Sequence, residues 1–203
     1  MILFRRWFGS AKHVRASAEA LYLDLVAQAR ARDFYARLAV PDTVEGRFDM
    51  IVLHMFLLLG RLEGSSSTGR ELSQAIFDFM FRDMDRSLRE MGISDQRIGR
   101  RIKEMIGAFY GRVRAYDSAF AEGPEALARA IRRNVYSAAP SDEEAPDLLS
   151  AYVRREIASL AAQPFEDIVA GKVHFGGIAL EAVLRKVEWV RFLSPPHTFW
   201  SMI

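Results

Sequence analysis

Met50-Ile-Val-Leu-His-Met-Phe-Leu-Leu-Leu59 is the most apolar run of this 203-residue chain, interrupted only by His54. A membrane-spanning helix needs about 20 apolar residues, so a run this short reads as the centre of a buried helix. Pro41-Asp-Thr43 ends one element and caps the next, which predicts a helix over 43–63. That helix is apolar on nearly all sides, the mark of a central helix packed by several others. Its polar residues Arg47, His54 and Arg61 are spaced by seven and form one line.

Working outward, the residues before it read as a helix over 17–38 with a break near Asp33. Residues 1–16 carry Arg5, Arg6, Lys12 and Arg15 and no acid, and read as a basic, aromatic arm. Arg5, Arg6, Trp7 and Phe8 combine apolar anchors with charge, which suits a membrane interface or a protein partner. The start has no secretory signal, because charge interrupts the apolar stretch such a signal needs.

On the other side, Gly64-Ser-Ser-Ser-Thr-Gly69 predicts a loop, followed by a helix over 70–91 that stops at Gly92. Ser94 is the expected cap of a helix reaching residue 121, and Gly123-Pro124 opens another over 124–137. An acidic, proline-bounded linker at 140–146 precedes a helix over 147–162. Lys172-Val-His-Phe-Gly-Gly177 reads as extended, and 176–203 is a tail without clear period or assigned role. Alternating strand patterns are almost absent. The expected fold is all-α, a single-domain bundle of about six to seven helices over 17–175 with a less regular C-terminal tail.

Two faces carry polar surprises. At 100° per residue, Leu72, Ile76, Phe79, Met80, Met84 and Leu88 share a face, and Asp83 and Glu90 fall on it. A carboxylate there needs a partner. The line through Arg47 and His54 is the candidate, which predicts an Arg47–His54–Asp83 network that fixes register or lines a groove. In the helix over 94–121, Gly107, Gly111, Ala115 and Ala119 recur every four residues, a ridge that admits close backbone approach. The same helix carries six basic residues between Arg97 and Arg114 against Glu104 alone. Such surfaces meet RNA or lipid phosphates, or are simply solvated.

Composition removes much chemistry. The chain has no cysteine, and its four histidines, His13, His54, His174 and His197, are far apart. There is no phosphate loop and no nucleophile elbow. Asp78 and Asp85 face away from Asp83, so they do not build a magnesium site of the kind helical isoprenoid enzymes use. The sequence therefore predicts no catalytic residue, no metal and no cofactor.

Three blocks go further. They are Val40-Pro-Asp-Thr-Val-Glu-Gly-Arg-Phe-Asp-Met-Ile-Val-Leu-His-Met-Phe56, Gln74-Ala-Ile-Phe-Asp-Phe-Met-Phe-Arg-Asp-Met-Asp-Arg-Ser-Leu-Arg-Glu-Met-Gly92 and Arg101-Ile-Lys-Glu-Met-Ile-Gly-Ala-Phe-Tyr-Gly-Arg112 with Ala115-Tyr-Asp117. In this order they resemble the ubiquinol–cytochrome c chaperone family over about residues 20–175. The resemblance implies a non-enzymatic assembly chaperone for the cytochrome bc complex with newly made cytochrome b as its client. It also implies a small co-chaperone and a site near the ribosome. With no transit peptide at the start, it implies a bacterial-type member, cytoplasmic or peripheral at the cytoplasmic face of the inner membrane. Carried over by position, the family's polar residues are Arg47, His54, Asp83, Asp85, Lys103, Tyr110, Arg112 and Tyr116. The competing readings from the residues are a helical lipid- or isoprenoid-handling enzyme and a ribosome- or RNA-binding module.

Overall fold

The apolar run forms the middle of α3, Val44–Leu62, and the start of that helix is built tightly. The Thr43 hydroxyl accepts the Gly46 N–H at 3.0 Å, an N-cap that satisfies an otherwise orphaned donor. Every residue from Met50 to Leu59 is buried. The computed structural model describes residues 2–63, 66–137 and 144–178, with side chains from residue 12 onward.

Around α3 lie α1 (Ile2–Ala29), the five-residue α2 (Arg32–Ala36), α4 (Ser67–Glu90), α5 (Asp95–Glu122), α6 (Pro124–Val135), α7 (Ala145–Ala162) and the five-residue α8 (Phe165–Val169). The fold is all-α, with six long helices, and no strand occurs among the described residues. α3 touches α1, α4, α5, α6 and α7, so its all-round apolar surface is used on every side. α1 packs along α4, while α5, α6 and α7 pack in chain order.

Three boundaries differ from the sequence reading, each for a local reason. α4 begins at Ser67, within the expected loop, because the Ser66 hydroxyl caps it through the Gly69 N–H at 3.1 Å. The break after α1 falls at Arg30-Ala31 and not at Asp33, which lies inside α2. There the Tyr35 hydroxyl donates to the Ala29 carbonyl at 2.9 Å and satisfies an acceptor the helix end leaves open. α1 itself runs unbroken from Ile2 through the stretch read as an arm. Ser94 stands at the α5 N-cap position, but its hydroxyl accepts Arg97 Nε at 3.2 Å instead of a backbone N–H.

After α8 the chain turns at Gly171, whose φ of 85° suits glycine. Residues 172–178 then run without regular structure across α7 and α1. Gln163 holds His174 twice, donating to its carbonyl at 2.7 Å and accepting its N–H at 3.0 Å. Buried Glu156 accepts the Gly176 N–H at 2.8 Å. The remainder of the expected tail, 179–203, lies outside the described residues.

Candidate functional site

An open groove of about 830 Å³ runs between α1, α4 and α5. Val14, Ala75, Phe79 and Ile102 give it an apolar floor. The guanidinium of Arg82 lies 4.4 Å from the Phe79 ring centre and that of Arg15 lies 5.9 Å away, so one half-buried aromatic carries two cations. Asp78 and Asp85 stand among the acids at its edges. Asp85 is held by Arg89 Nε at 2.7 Å, and Asp78 accepts Gln74 Nε2 at 2.8 Å. The groove is amphipathic, with oil at the bottom and both signs of charge on the walls.

The expected Arg47–His54–Asp83 network does not form. A spacing of seven keeps the three α3 residues on one side, but each meets a different neighbour. Arg47 is exposed and pairs with Asp42 at 2.7 Å. His54 is fully buried; its Nδ1 donates to the Met50 carbonyl at 2.8 Å, so its Nε2 accepts the Tyr152 hydroxyl at 2.9 Å. Burial pushes its pKa down to about 4, so the ring is neutral near pH 7. Arg61 donates to the Leu160 and Gln163 carbonyls, at 2.8 and 2.9 Å, at the end of α7. Asp83 turns toward α1, where the Tyr22 hydroxyl donates to it at 3.0 Å, and it pairs with Arg86 on its own helix. Glu90 is exposed.

Arg112, one helical turn before Tyr116, meets an acid that sequence reasoning overlooked. Arg112 Nε lies 2.7 Å from Asp49 Oδ1, and its guanidinium sits 5.7 Å from the Phe48 ring centre. Asp49 and Tyr116 are buried, while Arg112 is half-buried. Burial pushes the Asp49 carboxyl up to about 6 against the opposing pull of Arg112. The short contact is an ion pair by distance, yet the N–H is not aimed at the oxygen. Asp49 Oδ1, Arg112 Nε and the Tyr116 hydroxyl all lack a directed hydrogen bond. Asp49 is the one acid from Phe48 to Leu62, and that isolation within an apolar run is the signal that would have found it.

Residues 36–175 match the model of the ubiquinol-cytochrome C chaperone family. The chain belongs to this family. Over 89% of its length it superposes, with a TM-score of 0.76 and 38% identity, on the crystal structure of the Cbp3 homolog from Brucella abortus, 99% of which is covered. It is 26% identical over 156 residues to the mouse ubiquinol-cytochrome c reductase complex assembly factor 1, covering 77% of this chain and 53% of the mouse protein. It is 27% identical to the mitochondrial protein CBP3 of Saccharomyces cerevisiae, covering 78% of this chain and 49% of the yeast protein. The chain thus spans about half the length of these two relatives. The mouse relative bears the name of a complex assembly factor.

Within this chaperone fold the remaining residues carried over by position are dispersed. Lys103 is exposed on α5. Tyr110 is half-buried, its ring 5.8 Å from Phe77 and 5.4 Å from Phe109. Asp85 borders the groove. The side chains of Arg5, Arg6, Trp7 and Phe8 lie outside the described residues. No described helix is long and apolar enough to cross a membrane.

Proposed function

We propose that this chain is an assembly chaperone for the cytochrome bc complex that holds an apolar segment of newly made cytochrome b in the α1–α4–α5 groove. The carrying observation is Phe79, an aromatic floor residue between the cations of Arg15 and Arg82 in a trough open to solvent. Family membership and the names of its relatives support the assembly role. An apolar floor takes the greasy side of a client, and the charged walls keep the empty groove soluble. The eight positions carried over from the family do not form one site, so the client contact is assigned to the groove and not to them.

A photo-crosslinking residue placed at position 79 in cells making the complex is the direct test. Adducts containing cytochrome b support the reading. Adducts forming equally well from an exposed position on α7, or none at all from position 79, defeat it.

A second contact is favoured by α5 and α6. Lys103, Arg114, Arg129 and Arg133 are exposed and make no ion pair among the described residues. These cations suit the anionic surface of a membrane, which supports a peripheral position for the chaperone. Flotation with vesicles containing an anionic phospholipid, compared with neutral vesicles, tests that placement.

A further inference from the structure

Beyond α8, residues 173–178 are held by side chains and not by backbone pairing among the described residues. The last backbone bond before them joins the Lys172 N–H to the Asp167 carbonyl at 2.9 Å. The holds then recur at every second residue. Gln163, at the end of α7, donates to the His174 carbonyl at 2.7 Å and accepts its N–H at 3.0 Å. Two positions on, Glu156 of α7 accepts the Gly176 N–H at 2.8 Å, and Gln28 of α1 donates to the Gly176 carbonyl at 2.9 Å. Arg155 donates to the Gly177 carbonyl. The residues between these clamps are the ones whose side chains go in, the alternation of an extended chain. Val173 is buried and the Phe175 ring packs edge-on to His54 with centres 5.6 Å apart, whereas His174 is exposed.

The site also reads the absence of a side chain. A Cβ at Gly176 would lie 2.8 Å from Glu156 Oε1. Glu156 is fully buried and Arg155 holds the same oxygen at 2.9 Å, so this carboxylate is a wall and not a swinging chain.

We propose that α1 and α7 form a recognition site for an extended peptide of the pattern apolar–any–aromatic–glycine, which residues 173–176 fill in cis and a partner protein's segment of that pattern fills in trans. Main-chain clamps give such a site its affinity, and the inserted side chains give its selectivity. The clamps read atoms that every protein carries, so the segment need not belong to this chain. Exchange is open because residues 172–178 lie in neither helix nor strand and leave by local opening, without unravelling α1 or α7. Gly171 anchors the turn before them, where a Cβ would lie 3.0 Å from Ser17 Cα. The cis segment competes with any foreign one, so the site is gated by the fraction of time it stands open. This inference does not rest on the α1–α4–α5 groove or on the identity of the client.

The test uses the full chain and a fluorescent peptide with the sequence of residues 172–178. Phe175→Ala in the chain loosens the cis segment and leaves the α1 and α7 clamps in place. Anisotropy should show saturable binding to this variant, about tenfold tighter or more than to the wild type. Changing the peptide's phenylalanine or its first glycine to alanine should weaken binding by about tenfold, and so should adding Gln163→Ala to the receptor. No binding to Phe175→Ala at millimolar peptide, equal binding to both receptors, or equal binding of the three peptides overturns the site. Should Phe175→Ala fail to fold, Gly176→Ala, which presses on Glu156, serves as the receptor with the same expectations. A wild-type dimer that Phe175→Ala dissolves would assign the trans segment to a second copy and overturn the foreign ligand.

Discussion

Gly46 lies against Pro41 so closely that a Cβ on the glycine would fall 2.0 Å from the Pro41 carbonyl oxygen. The contact brings the turn before α3 onto the first turn of the helix, beside the Thr43 cap. The neighbour is backbone, which cannot swing aside. Gly46→Ala should therefore destabilise the protein by about 2 kcal/mol or more, as overpacked sites do. Urea denaturation followed by circular dichroism measures it, and a loss near zero would mean that the turn relaxes freely.

The buried His54 sets an acid limit. Its pKa is pushed from 6.5 down to about 4, so the fold binds the neutral ring and the unfolded chain binds the proton more readily. The stability it contributes is complete above pH 6.5 and is lost as pH falls toward 4, by up to about 3 kcal/mol. The advantage of the wild type over His54→Leu should shrink steadily across that window. Asp49 works in the opposite direction over much of the same range, so the difference between proteins, not the raw profile, is the quantity to follow.

Tyr152→Phe removes the hydroxyl that donates to His54 Nε2 and accepts Gln28 Nε2 at 3.1 Å. Buried His54 and half-buried Gln28 each lose a partner while the ring keeps its place between Phe34 and His54. A loss of about 1–3 kcal/mol follows in thermal or chemical unfolding. A neutral outcome would show that the two groups find other partners.

Glu156→Ala should free the segment 172–178 more than it weakens the helices. Its carboxylate holds the Gly176 N–H and the Arg155 guanidinium. Trypsin should then cut after exposed Lys172 several-fold faster, with little change in the global melting temperature. Equal cutting rates in both proteins would assign the hold on this segment to Gln163, Gln28 and Arg155.

Phe79→Ser changes a half-buried groove residue and should cost little stability, yet it should reduce cytochrome b accumulation in cells. Leu23→Ser is the matched control, because Leu23 is 59% exposed and lies outside the groove lining. Equal accumulation in both variants would count against the groove as the client site.

The helices were legible because their periods and punctuation are local. Met50–Leu59 marked α3, and Gly123-Pro124 marked the α5–α6 junction. The polar contacts were not legible, because they depend on helix rotation and on residues distant in sequence. Arg47, His54 and Arg61 share a spacing, but one reaches solvent, one reaches Tyr152 and one reaches the end of α7. Asp83 did need a partner, as its apolar face required, and found Tyr22 on α1, 61 positions away. Asp49 escaped attention because a lone acid inside an apolar run reveals its partner only once α5 is laid beside it.

The hydrogen bonds from Met50 through His54, Tyr152 and Gln28 to the Gly176 carbonyl join four stretches that the ribosome makes at widely separated times. During vectorial synthesis the middle of α3 is exposed early, but its histidine has no phenol to meet until α7 has emerged. The relay closes only when residue 176 has also cleared the exit tunnel. A chain stalled before that point would keep its central helix without its final latch.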